Sequence, residues 1–510
     1  MVWPAANANH LLVTANQMGQ LEQQLFDSGL PVAALMEKAG LALAERLKAE
    51  AGLRNRGLVV LVGPGHNGGD GLVLARELWL AGWPVRIWSP FAEHKPLTAA
   101  HLRHCLWLGL PKLEQPPDPK GPELWIDAIF GIGQSRALPE IVAHSLGQRQ
   151  HCGAEIWSID GPSGLCSDRG VLLGEAAAHC SRSLVVGLWK QGLWQDSAMA
   201  WVGEQERIEL NLPAAALTAI ASEAVLGLWG KDAYGPLAPQ PTPDAWAPKH
   251  GRGRLRIIAG SNRYPGAARL SIEGASASGV GWLEAALEQG QGQQLDQLLP
   301  HVLWRSRAEG LERLDAVVLG PGLGTTGAFP AGLQEFPGLL LLDADGLNHL
   351  AMGKQVIPWL SNRHGPTWIT PHQGEFTRLF PQLAGQAPLE AAKTAAQLTG
   401  AQVLLKGAHS CIATPEGCCY QLLETSAWAA RAGMGDVLAG YAGGLGALGM
   451  ASEKQFSNAI SGQLLALAGL RHGLAGLRLA QQGMGCASLW RWQKAYLSCN
   501  KCNILRLILN

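Results

Sequence analysis

Apolar positions recur at helical spacing from Leu21 to Leu47, and the pattern breaks at Ser28-Gly29-Leu30-Pro31. Two helices joined by a turn fit that spacing. Leu58-Val59-Val60-Leu61-Val62 is a short apolar run rich in β-branched residues, which predicts a strand. The polar and glycine-rich stretch Gly63-Pro64-Gly65-His66-Asn67-Gly68-Gly69-Asp70-Gly71 follows as a predicted loop, and a helix is expected from Leu72 to Leu80. Strand, loop and helix in that order make the front of a βα unit, whose ligands bind at the carboxyl ends of the strands. Two later runs, Leu124 to Gly133 and Glu155 to Gly164, each carry an acid late in the run, Asp127 and Asp160, with glycine just beyond. Beyond residue 250 the same strand-to-glycine transitions return at Arg254 to Ser261, Ala316 to Gly324, Leu339 to Asn348, Trp368 to Phe376 and Val403 to Ser410. Alternating strands and helices predict an α/β protein with mostly parallel sheets covered on both faces.

The chemistry gathers at these strand ends. Gly433-Met434-Gly435-Asp436 runs straight into an apolar helical segment, so the free N–H groups of a helix start would suit a phosphate there. Asp436 beside that phosphate could take the proton of an attacking hydroxyl. A plain helix cap is the competing reading for the same aspartate. Asn67, Asp127 and Ser163 supply hard oxygen donors suited to an alkali or alkaline-earth cation. His372 could equally cap or pack, Lys406 could be a solvated strand-end lysine, and Asp345 could cap the helix after it. The Walker signature is missing and the glycine spacing is not that of the dinucleotide fingerprint.

Composition narrows the class. With 510 residues, two domains are the natural expectation. Lys and Arg total 40 against 40 Asp and Glu, which gives no reason to expect nucleic acid as a partner. Ten scattered cysteines and the lack of a membrane-length apolar run point to a soluble protein in a reducing, cytoplasmic compartment. Cys499 and Cys502 form a lone pair with no second pair to complete a zinc site. The proline-dense segment Gly235 to Pro243 marks a linker. The expected division is 1–225, a linker over 226–248, a second domain over 249–480 and an atypical tail over 481–510.

The motifs "LMEKAG", "GPGHNGGDGLVLAR", "DAIFGIG" and "IDGPSGL" resemble the N-terminal domain of the NAD(P)H-hydrate epimerases. That resemblance implies a Rossmann-like three-layer fold. It makes His66, Asn67, Gly68, Gly69 and Asp70 substrate contacts, together with the loop Gly131, Ile132, Gly133, Gln134, Ser135, Arg136 and Ala137. Asp160 becomes a substrate contact and catalytic residue, and Asn67, Asp127 and Ser163 become ligands of potassium. The sequence departs from the family pattern at His66, usually Asn, and at Gly161, usually a larger apolar residue.

The ordered motifs "GSNRYPGA", "GPGLG", "DADGLN", "TPHQGEF", "LLKGAHS" and "AGMGDVLAG" are similar to the ADP- or ATP-dependent NAD(P)H-hydrate dehydratases, which are ribokinase-like and three-layered. The resemblance makes Ala267, Gly322, His372 and Asp436 substrate contacts, with Asp436 catalytic. Lys406, Gly407, Ala408, His409, Ser410 and Gly435 would hold ADP or ATP, with magnesium. Together the resemblances imply a bifunctional repair enzyme for hydrated NADH and NADPH, an epimerase fused to a dehydratase, with a homo-oligomer as the default assembly. A kinase of another small alcohol and a non-catalytic scaffold are the competing functions.

Overall fold

The computed structural model describes residues 3–287, 299–324, 329–424, 427, 430–452 and 456–481. The chain divides into two compact units, one of Ala6–Val225 and one of Leu226 onward together with the N-terminal residues through Ala5. The atypical tail and its cysteine pair lie outside the described residues.

In the first unit a sheet runs in the order β4 (Lys112–Leu113), β3 (Val85–Trp88), β2 (Leu58–Val62), β5 (Leu124–Ala128), β6 (Ile156–Ile159), β7 (Arg182–Val186) and β9 (Glu204–Ile208). Each neighbouring pair is parallel. The order doubles back between β3 and β5 around β2, the Rossmann-type switch that opens a crevice at the carboxyl ends of β2 and β5. Period-two alternation assigns the faces: Leu58, Val60 and Val62 join one apolar core, and Val59 and Leu61 join the other. A smaller parallel pair, β1 (Leu11–Val13) with β8 (Trp189–Lys190), lies in the same unit.

Helices Ala15–Asp27 and Val32–Lys48 fall where the apolar spacing placed them. The glycine-rich stretch does not. Its helix starts at His66 and runs to Leu80, so Asn67, Gly68, Gly69 and Asp70 sit in helical turns and not in a loop. The cause is steric: a Cβ on Gly68 would lie 2.1 Å from the Gly63 carbonyl oxygen, and one on Gly69 would lie 2.5 Å from the Met36 sulfur. Without those side chains the helix can begin pressed against the strand end and the neighbouring helix.

The second unit's sheet follows the order β13 (Leu303–Trp304), β12 (Trp282–Ala286), β11 (Arg254–Ile258), β14 (Ala316–Leu319), β15 (Leu339–Leu342), β16 (Thr367–Ile369) and β17 (Gln402–Leu405). It continues through β18 (Cys411–Ala413) and β19 (Cys419–Leu422) to β10 (Val225–Leu228). Pairing is parallel except at β17–β18 and β18–β19. The segment 226–248 was expected as a linker, yet its first residues complete β10, which is fully buried and pairs with β19. Val225 to Leu228 is apolar and buried, and its backbone groups find partners in the sheet.

Helices Pro265–Ser278 and Met434–Ser452 pack backbone to backbone. A Cβ on Gly440 would lie 1.8 Å from the Ser271 carbonyl oxygen, and one on Gly274 would lie 2.2 Å from that of Val437. Gly440→Val must therefore separate the helices, with an expected loss of about 1–3 kcal/mol or more. The check is a thermal melt, and Asp436 rides in the first turn of the displaced helix.

Candidate functional sites

In the first unit the expected groups converge on the switch-point crevice. Asp127 is the penultimate residue of the buried strand β5 and is itself fully buried. Its Oδ1 accepts the Ser163 hydroxyl at 2.7 Å and the Ile129 N–H at 3.2 Å, while Oδ2 accepts the Ser163 N–H at 2.8 Å. Burial pushes its carboxyl up to about 6, against the lowering effect of those donors. Asn67 approaches from the helix start, and its side chain lies 3.3 Å from the position a Gly131 Cβ would take. The Asn67 amide nitrogen is buried without a partner. Turning that amide by 180° would replace an orphan donor with an acceptor, which a cation could use.

The loop from Gly131 to Ala137 borders the same place. The Gln134 side chain accepts the Gly164 N–H at 2.8 Å and donates to the Arg136 carbonyl at 2.8 Å. The Ser167 hydroxyl donates to the Ile132 carbonyl. Gly133, Ser135, Arg136 and Ala137 are exposed, whereas Gly68 and Gly69 are buried. Asp160 follows β6 in the left-handed region, with φ 68°. His66 and Asp70 share a small cavity with it.

In the second unit the order reverses around β11, and Ala267 and Gly322 lie at that switch. Gly322 has φ 60°, and a Cβ there would lie 2.5 Å from that of Ala267. The next three strand ends deliver the charged groups. Asp343 follows β15, His372 follows β16, and Lys406 follows β17. Lys406 Nζ lies 2.7 Å from Asp343 Oδ1 and 3.9 Å from Glu375 Oε2. Burial alone would lower this ammonium's pKa, but Asp343, Glu375 and Asp436 outweigh it and leave it raised. Asp436, in the first turn of helix Met434–Ser452, is pushed up to about 7 by burial and then by Asp343, with Lys406 opposing. Gly435 lets this helix start approach the ion pair: a Cβ there would lie 3.3 Å from Lys406 Nζ.

His372 caps helix Gln373–Leu379 through Nδ1 and is exposed, with a backbone bridge to Lys406. In the turn after Lys406, the Ser410 hydroxyl donates to the Gly407 carbonyl at 3.0 Å and lies 3.2 Å from the Gly407 N–H. The Gln421 amide donates to the His409 carbonyl, while Ala408 occupies the turn's exposed side. Asp345 opens its helix and accepts the Gly324 N–H at 2.8 Å, fastening the "GPGLG" turn. Asp343 and Glu375, both buried, had no role from sequence. An acid immediately after an apolar strand was the available signal for Asp343; only the fold brings Glu375 to Lys406.

Two family models match the chain in tandem: one described as YjeF-related protein N-terminus over residues 32–192 and one described as NAD(P)H-hydrate dehydratase over 255–486. The bifunctional NAD(P)H-hydrate repair enzyme of Synechocystis is 39% identical over 489 residues, covering 92% of this chain and 91% of its own. The chain belongs to the family of bifunctional NAD(P)H-hydrate repair enzymes. The family member from Gloeobacter violaceus is 42% identical over 453 residues, with 85% of this chain and 88% of its own covered. Among solved structures, an ADP/ATP-dependent NAD(P)H-hydrate dehydratase from Bacillus subtilis, co-crystallised with ATP and Mg2+, aligns with 54% of this chain and 96% of its own at 23% identity and TM-score 0.45. Membership in this family removes the small-alcohol kinase and the scaffold as readings of the whole chain. Among the described residues no helix is long and apolar enough to cross a membrane.

Proposed function

We propose that the first unit interconverts the R and S epimers of hydrated NADH and NADPH, and that the second unit dehydrates the S form at the expense of ADP or ATP. The observation that carries the dehydratase half is the cluster of Lys406, Asp343 and Asp436 around the glycine start of one helix, at the carboxyl ends of parallel strands. Asp436 takes the proton of the substrate hydroxyl as its oxygen attacks the terminal phosphorus and the shorter nucleotide leaves. The phosphorylated carbon then loses phosphate, a far better leaving group than hydroxide, and a ring proton departs to restore the double bond. Lys406, the turn Gly407 to Ser410, and Gly435 hold the nucleotide; Ala267, Gly322 and His372 border the substrate.

Magnesium would supply charge neutralisation on the transferred phosphoryl group. Among the described residues no three side chains of His, Cys, Asp or Glu close on one metal position. That fits an ion held mainly by phosphates and one or two carboxylates, for which Asp343 and Glu375 stand beside Lys406. In the first unit Asn67, Asp127 and Ser163 are the donors for potassium. A buried carboxylate short of countercharge and an orphan amide suit a monovalent cation, which would neutralise Asp127 and fix the loops that border the substrate.

The test follows the return of reduced-nicotinamide absorbance when mixed epimers of hydrated NADH meet the protein with ADP or ATP. Complete recovery is expected. Recovery that stops at the S fraction would remove the epimerase half of the proposal, and no recovery with either nucleotide would remove the dehydratase half.

A further inference from the structure

Beyond the cation donors, the first unit buries a second set of charges. A cavity of about 80 Å3 is lined by Glu22 from helix Ala15–Asp27, His66 and Asp70 from helix His66–Leu80, Asp160 after β6 and Lys190 of β8. Helix Val32–Lys48 contributes apolar side chains to its wall. Lys190 is 1% exposed. Its Nζ lies 2.5 Å from Asp160 Oδ1 and donates to the Val186 carbonyl at 2.6 Å. The Val186 N–H reaches the same Asp160 oxygen at 3.2 Å. Asp160 thus sits in a backbone region sparsely used by residues other than glycine, fixed by one lysine and one strand end.

Three carboxylates share the space with one ammonium. If all three were ionised, two negative charges would lack a partner in a buried site. The ammonium lies on Asp160. Asp70 is pushed well above the usual carboxylate range by burial, then by Asp160 and Glu22, with Lys190 opposing. Burial and then Asp160 raise Glu22 as well, again with Lys190 opposing. Burial and then Lys95 lower the pKa of His66, which also lines the cavity.

We propose that Lys190 is a positioning residue of the epimerase site: it clamps Asp160 as the proton acceptor and leaves Asp70, across the same cavity, as the proton donor, with Glu22 as the neighbouring charge that biases Asp70. This rests on the reading that the first unit is the epimerase. Ring opening needs both partners. Asp160 takes the proton of the hydroxyl on ring carbon six as the carbon–oxygen double bond forms and the bond from that carbon to the ring nitrogen breaks. The electron pair of the broken bond goes to the nitrogen, which takes the proton of Asp70. Rotation of the freed aldehyde presents its other face, and the reverse transfers close the ring. Protons and electrons balance without any co-reactant. Two carboxyl groups held in different environments can perform such a split of acid and base.

The experiment follows exchange between the separated epimers by the full chain without nucleotide, across pH. Lys190→Met is expected to slow exchange by about 100-fold or more, the scale of one lost acid–base function. Lys190→Arg should restore part of the rate. The alkaline limb, where Asp70 loses its proton, should move to higher pH in Lys190→Met, which removes a cation, and to lower pH in Glu22→Gln, which removes an anion. A purely structural lysine would give no such opposed shifts. Dehydration of the pure S epimer should be unchanged in each variant. If the parent protein shows no exchange, the epimerase reading itself fails. If the parent exchanges the epimers and Lys190→Met does so at the same rate and pH dependence, the assignment of Lys190 is overturned. Should Lys190→Met not fold, Glu22→Gln decides: an unmoved alkaline limb overturns the proposal.

Discussion

Asp436→Asn should lower dehydration of the S epimer by about 100- to 10,000-fold, the span usually contributed by a general base. Asparagine keeps the size of the side chain and can still accept a hydrogen bond, so nucleotide affinity should persist. Epimer exchange, carried by the other unit, should continue at its original rate. The capping alternative makes a different forecast, because Asn caps nearly as well as Asp and a lost cap costs only about 1 kcal/mol. Asp436 is also the third residue of its helix and not the residue before it. Equal dehydration rates for variant and parent would return Asp436 to a structural role.

The same aspartate sets a pH dependence. Burial, then Asp343, holds its carboxyl up at about 7, so the base form accumulates and the rate should climb as pH rises through that value. Its effect on stability has the opposite sense. A carboxyl whose folded pKa lies above its unfolded value of about 3.9 binds more protons when folded, so its contribution is fully present below that lower value. The contribution is lost as pH rises through about 7. Asp343→Asn should move the rate limb to lower pH, since it removes the largest charge holding the Asp436 proton in place. A limb that stays put would separate Asp343 from the base.

Asp127→Asn should abolish the response of epimer exchange to potassium and slow that exchange by at least about 10- to 100-fold, the loss seen when residues supporting a metal are removed. Dehydration of pure S epimer should be untouched. The variant also sets an amide NH2 against either the Ser163 N–H or the Ile129 N–H, which now serve the two oxygens of the carboxylate. About 1–3 kcal/mol of stability should go with each donor left unsatisfied. A folded variant whose exchange still rises with potassium would remove Asp127 from the cation site, whereas equal loss of both activities would indicate general unfolding.

Much of the fold was legible because buried parallel strands announce themselves. Leu58 to Val62 and Leu339 to Leu342 are apolar throughout and buried throughout, so a run of four or five such residues ending at a glycine or an acid marks the strand and the ligand-facing turn together. The start at His66 was hidden because glycine is read as a breaker, whereas here its missing side chain is what lets the helix press against its neighbours. β10 was hidden for another reason: its partner, β19, lies almost two hundred residues away, and four apolar residues carry no sign of a distant pairing. The site residues divided in the same way. Asp127, Asp160, Lys406 and Asp436 stand at strand ends or a helix start that a local pattern can single out. Glu22, Lys190, Asp343 and Glu375 act through what surrounds them, and no local pattern reports that a lysine beside a strand will be buried against an aspartate thirty residues earlier.

The close contact of Gly440 with Ser271 has a further consequence for how the dehydratase unit can move. Packed helices ordinarily slide by letting side chains change rotamer at their interface, whereas at Gly440 and Gly274 this crossing is made by backbone against backbone. The helix that carries Gly435 and Asp436 is thereby pinned within two turns of its start. Opening for substrate and release of product therefore do not come from sliding of this helix, and the aspartate it carries is a fixed point of the site.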